Sequence, residues 1–238
     1  MSDVLAQLAA TAWPAREQVE LGGWLLRASA GVTMRANSAL PLTDSPAPLD
    51  DLLGAVEDFY DARLLPPRVQ VTDLGLDAEL DARGWTASHD TDLLVGPLPD
   101  VAGSAVVGEL DVDWLDAWWA LDSRGGGAAE REVATSMLGL VQHPVGYAQV
   151  RREGAVVGVA RGVAQGPWLG VFQVGVLPAH RRGGLGRELL SALWAWGEEQ
   201  GTTTAYLQVG RDNPGRGLYA GMQVAGSYRY RTRPAPSR

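Results

Sequence analysis

The chain has no cysteine, no lysine and only three histidines in 238 residues. Without cysteine there are no disulfides, no thiolate metal ligands and no cysteine-bound acyl intermediate. His89, His143 and His180 lie far apart in the chain, which leaves a zinc site or a Ser-His-Asp triad with little support. The missing lysine excludes a P-loop, whose GxxxxGK[ST] pattern needs that side chain on the phosphates. All twenty basic residues are arginine, which reads as the compositional bias of a GC-rich genome. No apolar run approaches the roughly 18 residues of a membrane helix. No basic region precedes the apolar part of MSDVLAQLAATAW, so the start does not read as a secretory signal. A cytoplasmic protein with no membrane partner is expected.

What is present describes a globular protein: 46% of the residues are hydrophobic and 20% charged. The length suits one large domain or two small ones. Charge is unevenly spread. Residues 151–238 carry twelve arginines against five acids, whereas residues 1–150 carry eight against twenty-three. A basic last part suits a polyanionic cofactor, and the acidic first part suits either a cationic substrate or simply a solvated surface. The arginines are not interleaved with exposed aromatics in a stripe, so nucleic acid is not expected as a partner.

One stretch organises the rest: Val171 to Trp196, VFQVGVLPAHRRGGLGRELLSALWAW. It opens as an apolar strand that Pro178 ends, since proline brings no donor to a ladder. From Leu185 the apolar residues recur at helical spacing, at Leu189, Leu190, Leu193 and Trp194. Strand, basic glycine-rich turn and helix leave the first helical N–H groups free to bind an anion. Gly183, Gly184 and Gly186 let a phosphate come close to the backbone, and Arg181, Arg182 and Arg187 add positive charge. The dinucleotide fingerprint GxGxxG does not fit the spacing here.

What does fit is R-x-x-G-x-G, as Arg181-Arg182-Gly183-Gly184-Leu185-Gly186, after a strand pattern V-x-V-x-P at Val174, Val176 and Pro178. This resembles the acyl-CoA-binding motif of the GNAT superfamily of N-acetyltransferases, where the turn holds the pyrophosphate of coenzyme A. The resemblance covers residues 104–233 and implies the order β-α-α-β-β-β-α-β-α-β. It implies an α/β (α+β) fold with a mixed central sheet flanked by helices. A smaller, degenerate GNAT-like half precedes it, without a cofactor turn. Arg35, Asn37 and Ser38, after Gly22-Gly23-Trp24, resemble the opening of actinobacterial tandem GNAT proteins. These three either line a substrate pocket or face solvent and pair the backbone. The Pro- and Gly-rich connection Gly96–Gly103 separates the expected domains, 1–98 and 104–238.

Along the first half the pattern predicts a helix over 3–12 and a strand over Trp24–Arg27. A turn at Gly31 and a second strand from Val32 to Leu40 would complete a hairpin. A helix over Leu49–Arg63, a strand at Val69–Val71, a helix over Leu76–Ala82 and a strand over Asp92–Val95 follow. The second half begins with a strand over Ala105–Leu110. Asp113 is a candidate N-cap for a helix carrying Trp114, Trp118 and Trp119. These tryptophans read as buried packing, with an aromatic substrate wall as the alternative. Gly125-Gly126-Gly127 reads as a mobile lid or a plain loop, ahead of a helix over Ala128–Leu140. Next come a hairpin turning at Arg152-Glu153-Gly154 and the strand Leu169–Val176. After the long helix come a strand Ala205–Val209, a short helix with Leu218 and Tyr219, and a closing strand Ser227–Arg233.

The resemblance also assigns roles. The Val174 N–H faces the thioester carbonyl, Val174 and Val176 pair with the pantetheine arm, and Gly175 between them eases a bulge. Tyr219, in an L-Y-x-x-G context, matches the tyrosine that protonates the coenzyme A sulfur. Asn213 matches the asparagine near the pantetheine, although it precedes Tyr219 by six residues where the family pattern has seven. Gly221-Met222 stands where the family has Gly-Phe. The general base is not visible. Gln173 does not take up a proton usefully, and Asp122, Glu130, Glu132 or a water chain are the candidates.

With no cysteine, the expected activity is direct transfer of the acetyl group of acetyl-CoA to a primary amine, on a small molecule or a peptide, in a ternary complex. A longer acyl group is a variant that pocket width decides. The alternative is a catalytically silent acyl-CoA-binding or interaction protein with the same fold. A homodimer stays open, and no metal is called for.

Overall fold

The computed structural model describes residues 2–98, 105–122 and 126–235. The first stretch folds as α1 (Ser2–Ala12), β1 (Glu17–Leu21), β2 (Trp24–Ala28), β3 (Leu40–Pro41), α2 (Leu49–Asp61), β4 (Arg68–Val71), α3 (Leu74–Ala82) and β5 (Thr86–Pro97). The remainder forms β6 (Val106–Gly108), α4 (Val112–Asp122), α5 (Ala128–Leu138), β7 (Val145–Arg152), β8 (Ala155–Gln165), β9 (Trp168–Val176), α6 (Leu185–Glu199), β10 (Thr204–Gly210) and β11 (Gln223–Thr232). Strands β1, β2 and β3 make a small sheet, and the other eight make one large sheet in the order β4-β11-β5-β10-β9-β8-β7-β6. Only β9 and β10 run parallel within it.

The expected domain boundary falls on residues outside the described chain. On its two sides, β5 and β10 are direct neighbours, from Thr204↔Pro97 to Gly210↔Thr91. A strand of the first half therefore lies between β10 and β11 of the second, and β4 extends the sheet beyond β11. The cores mix in the same way. Leu5, Ala9 and Ala12 of α1 pack with Phe172, Tyr206, Tyr228 and Tyr230 on one face of the sheet. On the opposite face α6 lays Leu185, Leu189, Leu190, Leu193 and Trp194 against Ala148, Val150, Ala160, Val171 and Leu207. β8, covered on both faces, is buried from Val156 to Gln165, as its almost continuous apolar run requires.

The three tryptophans of α4 are packing residues. Trp114 is fully buried and Trp118 nearly so. Trp114 Nε1–H donates to the Ala148 carbonyl at 3.0 Å, and Trp118 meets Trp13 edge to face. The helix cap is Asp111 and not Asp113: Asp111 Oδ1 accepts the Trp114 N–H at 2.7 Å, while Asp113 pairs with Arg151.

The early hairpin also differs from expectation. It runs β1 to β2 around Gly22-Gly23, with Leu21 opposite Trp24. Both glycines take positive φ, 54° and 82°, as a two-residue hairpin turn demands. β1 escaped notice because all five of its residues are exposed, leaving no apolar alternation to read. Val32–Leu40 is not a strand. Positive φ at Ala30, Gly31 and Thr33 coils the chain, and only its end pairs, Ala39 in a single parallel bridge with Val69 of β4 and Leu40–Pro41 with β2. Asn37 holds that coil. Its Oδ1 accepts the N–H groups of Ser29 (2.8 Å) and Gly31 (2.9 Å), and its Nδ2 donates to the carbonyls of Val32 and Thr33, both at 2.7 Å. That uses the whole hydrogen-bonding capacity of a primary amide.

Candidate active site

β9 and β10 pair from Thr204↔Trp168 as far as Leu207↔Val171. Beyond this β9 continues to Val176 and β10 to Gly210 without pairing to each other, so the sheet opens into a wedge. The other edge of β9 is irregular at the same level. Between the pairs Arg161↔Phe172 and Val159↔Gly175, Gln173 and Val174 stand opposite Ala160 alone. This is a bulge, and Gln173 takes φ of 49°, a costly conformation that gathers at functional sites. The bulge is therefore at Gln173 and not eased by Gly175. Glycine is needed at 175 for another reason: a Cβ there would stand 2.9 Å from Leu121 Cδ1 of α4. Val174 and Val176 turn the other way and pack against the α6 core, as do Leu218 and Tyr219.

After β9, Pro178–His180 makes one 3-10 turn. The chain then swings into α6 through Arg182, at φ 66°, and Gly184, at φ 82°. The N–H groups of Arg182, Gly183, Gly184, Leu185 and Gly186 donate to no backbone carbonyl among the described residues. They form a row of unused donors of the kind that can receive an anion. Arg181, Arg182 and Arg187 are exposed around it and make no ion pair among the described residues. Arg181 donates from Nε to the Val176 carbonyl at 2.9 Å, which holds its stem along the end of β9. Leu185 is buried and anchors the helix start. A Cβ on Gly186 would stand 3.2 Å from Leu218 Cδ2, so this glycine lets the turn carrying Tyr219 come up to the row of free N–H groups.

Tyr219 ends the 3-10 turn Arg216–Tyr219. Burial pushes its phenol up to about 12, so it keeps its proton through the neutral range. Asn213 is exposed, and its Oδ1 accepts the Gly215 N–H at 2.8 Å, closing the loop just ahead of Tyr219. Sequence reasoning missed what fixes that loop. Asp92, buried on β5, binds Arg211 Nε at 2.9 Å and Arg216 Nη2 at 2.6 Å. Burial alone would raise the Asp92 carboxyl, but the hydrogen bonds and charges of the two arginines outweigh it and hold the group below its ordinary range. A carboxylate of the first half thus clamps the turn that presents Tyr219. No local spacing signals a partner more than a hundred residues away.

The base candidates fare unequally. Glu130 Oε2 accepts the Gly127 N–H at 3.0 Å and serves as part of the α5 start. Glu132 is exposed. The side chain of Asp122 and, in the Gly125–Gly127 break, Gly125 lie outside the described residues. Among the described residues no helix is long and apolar enough to cross a membrane.

Comparisons with known proteins place the chain in a family. A family model described as "Probable histone acetyltransferase Rv0428c C-terminal" matches residues 4–233. The protein named "Probable histone acetyltransferase Rv0428c" from Mycobacterium tuberculosis is 28% identical over 215 residues, which are 86% of this chain and 65% of that one. The chain thus spans just under two thirds of that relative. "Uncharacterized N-acetyltransferase YobR" from Bacillus subtilis is 44% identical over 68 residues, 28% of this chain and 27% of that one. A solved GCN5-related N-acetyltransferase from Kribbella flavida superposes with a TM-score of 0.71 at 20% identity, covering 99% of this chain and 96% of its own. A tandem GNAT protein from the clavulanic acid biosynthesis pathway gives 0.65 at 14% identity, covering 98% and 89%. At such identities these two structures share the fold, and the fold is that of the GNAT proteins.

Proposed function

The chain belongs to the family described as probable histone acetyltransferase Rv0428c C-terminal, and on that premise we propose that it is an N-acetyltransferase using acetyl-CoA. The observation that carries the reading is the turn between β9 and α6. Five peptide N–H groups that bond no backbone carbonyl, and three arginines without an ion pair, among the described residues suit a diphosphate. The diphosphate would lie on Arg182–Gly186, with Arg181, Arg182 and Arg187 around it. Val174 and Val176 would hold the pantetheine arm along the open edge of β9, and Asn213 lies on the loop beside it.

In this reading the wedge places the thioester between β9 and β10, within reach of an amine from the face away from α6. The amine nitrogen forms a bond to the carbonyl carbon, and the Val174 N–H stabilises the oxyanion without reorganising. The carbon–sulfur bond then breaks. Tyr219 gives its proton to the leaving sulfur, a role that its raised pKa suits. The proton lost by the amine leaves through the wedge to water. No covalent enzyme intermediate is needed, and no cysteine exists to form one.

Calorimetry with acetyl-CoA tests the cradle, and an amine screen that reads released thiol tests the transfer. Binding together with amine-dependent thiol release supports the reading. Binding with no thiol release across a broad panel would leave an acyl-CoA-binding protein without activity. No binding would overturn the reading altogether.

A further inference from the structure

Across the sheet from α6 lies a group of polar atoms that the proposed transfer does not use. Arg161 is the one charge in the apolar run Val156–Ala164, and it is fully buried. Its Nε donates to Gln173 Oε1 at 2.7 Å and its Nη2 to the Ala12 carbonyl at 2.9 Å. Its Nη1 is buried with no partner. Arg35 comes in from the coil before β3, and its Nε is likewise buried and unpartnered. The two guanidiniums share one ring: Phe172 lies 4.9 Å from Arg161 and 5.8 Å from Arg35. On β10, Gln208 has both amide atoms buried without partners. It stands one residue past Leu207, the last residue paired with β9. Gln208 shares a face with Tyr206, two residues before it, and Tyr206 meets Phe172 edge to face.

Two cations side by side, Arg161 fully buried and Arg35 half-buried, are expensive unless an anion joins them. No described carboxylate does so. The groups acting on Arg161 are the phenols of Tyr147 and Tyr206 and the repelling charge of Arg35, besides burial itself, which pushes it down to about 10. Around Arg35, besides burial, they are Tyr228, which also hydrogen-bonds its side chain, Tyr230 and Tyr206. Arg161 reaches the bulge through its Nε bond to Gln173, and both guanidiniums lie against Phe172, the residue before it, where the wedge begins. Guanidiniums match a carboxylate in both charge and shape.

We infer that the acceptor is an amine that also carries a free carboxylate, with Arg161 and Arg35 binding the carboxylate and Gln208 lying beside the amine end. This rests on the transferase reading above for the direction in which the amine points. It separates this chain from an enzyme built to modify a lysine within a protein, whose side chain has no free carboxylate nearby.

The test pairs each proteinogenic L-amino acid, β-alanine and 4-aminobutyrate with its carboxamide, and adds a lysine peptide with both ends blocked. With acetyl-CoA present, at least one free acid should exceed its carboxamide in kcat/KM by about 30-fold or more, the worth of a charge-assisted pair of hydrogen bonds. Arg161→Met should bring that ratio close to one while acetyl-CoA binding by calorimetry is kept. Arg35→Gln should lower the ratio too, and carries the test if Arg161→Met does not fold. Carboxamides or the blocked peptide serving as well as the acids would overturn the inference, as would a ratio untouched in the folded variants. If no amine releases thiol, the transferase reading fails and thermal shifts decide this one. Stabilisation by a free acid and not by its carboxamide, lost in the variants, upholds the anion site; no difference overturns it.

Discussion

Two groups of arginines flank the wedge, and they are built on opposite principles. Arg181, Arg182 and Arg187 fall within seven residues, stand in water and surround a row of peptide N–H groups. Arg35, half-buried, and Arg161, fully buried, are 126 positions apart and meet against one phenylalanine. The first group stays hydrated when empty, so it costs little stability, and its pull on a ligand is screened by salt. The second group is desolvated before any ligand arrives, so its cost is carried by the folded protein and its selectivity is correspondingly sharp. Arg27 shows that burial by itself does not make a site. It is as deeply buried, yet it donates to the Ser38 carbonyl, Ser38 Oγ and Gln70 Oε1 at 2.8–3.0 Å, which makes it a strut between β2, the coil and β4.

The sharpest way to break the comparison is to disable the exposed cradle alone. Gly184→Trp adds a side chain where a Cβ meets nothing within 4 Å, so the fold suffers only the strain of a left-handed residue, about 1–2 kcal/mol. The indole then covers the free amides. Acetyl-CoA affinity by calorimetry should fall by about 100-fold or more, the loss of two or three charge-assisted hydrogen bonds. Unchanged affinity in a folded variant would show that the diphosphate lies elsewhere. Next in size is Tyr219→Phe, which should lower kcat by roughly 100-fold with acetyl-CoA affinity kept. Because the phenol titrates at about 12, the wild-type kcat profile should show no descending limb from Tyr219 below pH ~10. A limb near neutrality that vanishes in Tyr219→Phe would contradict the assignment.

The same contrast explains what could be read from sequence. The cradle was legible because everything in it is local: a strand, a proline, glycines and an amphipathic helix within 26 residues. Its α6 face came out residue by residue, since burial of Leu185, Leu189, Leu190, Leu193 and Trp194 follows from a period near 3.6. The wedge could be placed only through family resemblance, and even then the bulge was given to Gly175, because a glycine looks permissive and Gln173 does not. The clamp of Asp92 on Arg211 and Arg216, and the meeting of Arg35 with Arg161, depend on β5 entering the sheet between β10 and β11. No pairing rule on a single sequence predicts that insertion. One signal was visible nonetheless: a lone arginine inside Val156–Ala164 has to find something worth its desolvation.

A smaller effect sharpens the electrostatic half of the comparison. Arg182→Gln and Arg187→Gln should each weaken acetyl-CoA binding by about 3- to 5-fold at low salt, as solvated charges do. Both losses should shrink towards one in ~0.5 M salt, where the Debye length is only a few ångströms. The preference for an acid over its carboxamide, held by Arg161 out of water, should persist in the same salt. If calorimetry shows the two responding alike, the division into a screened and an unscreened site is wrong.

The smallest effect concerns what keeps both groups facing one wedge. β11 is tied to α3 by Arg231, whose Nε meets Asp77 Oδ1 at 2.7 Å and whose Nη1 meets Asp81 Oδ1 at 2.5 Å, with Arg229 adding a contact to Asp77 at 3.3 Å. The hydrogen bond from Arg231 lowers the Asp77 carboxyl, against the opposing pull of burial, and the charges of both arginines add to it. A carboxyl held lower in the folded state than its unfolded value of about 3.9 stabilises the fold above that pH. The stabilisation is lost as pH falls through the depressed folded value. Asp77→Asn should therefore lower Tm by about 2–4 °C, or ~1 kcal/mol, between pH 5 and 7. The gap to wild type should begin to close below pH ~4, where Asp77 of the unfolded chain takes up a proton, and be gone once the pH passes below the depressed folded value. A gap that stays constant down to the lowest pH at which the protein folds would mean that the helix is held to β11 by packing, and that the charge pair contributes nothing to the alignment of the two halves.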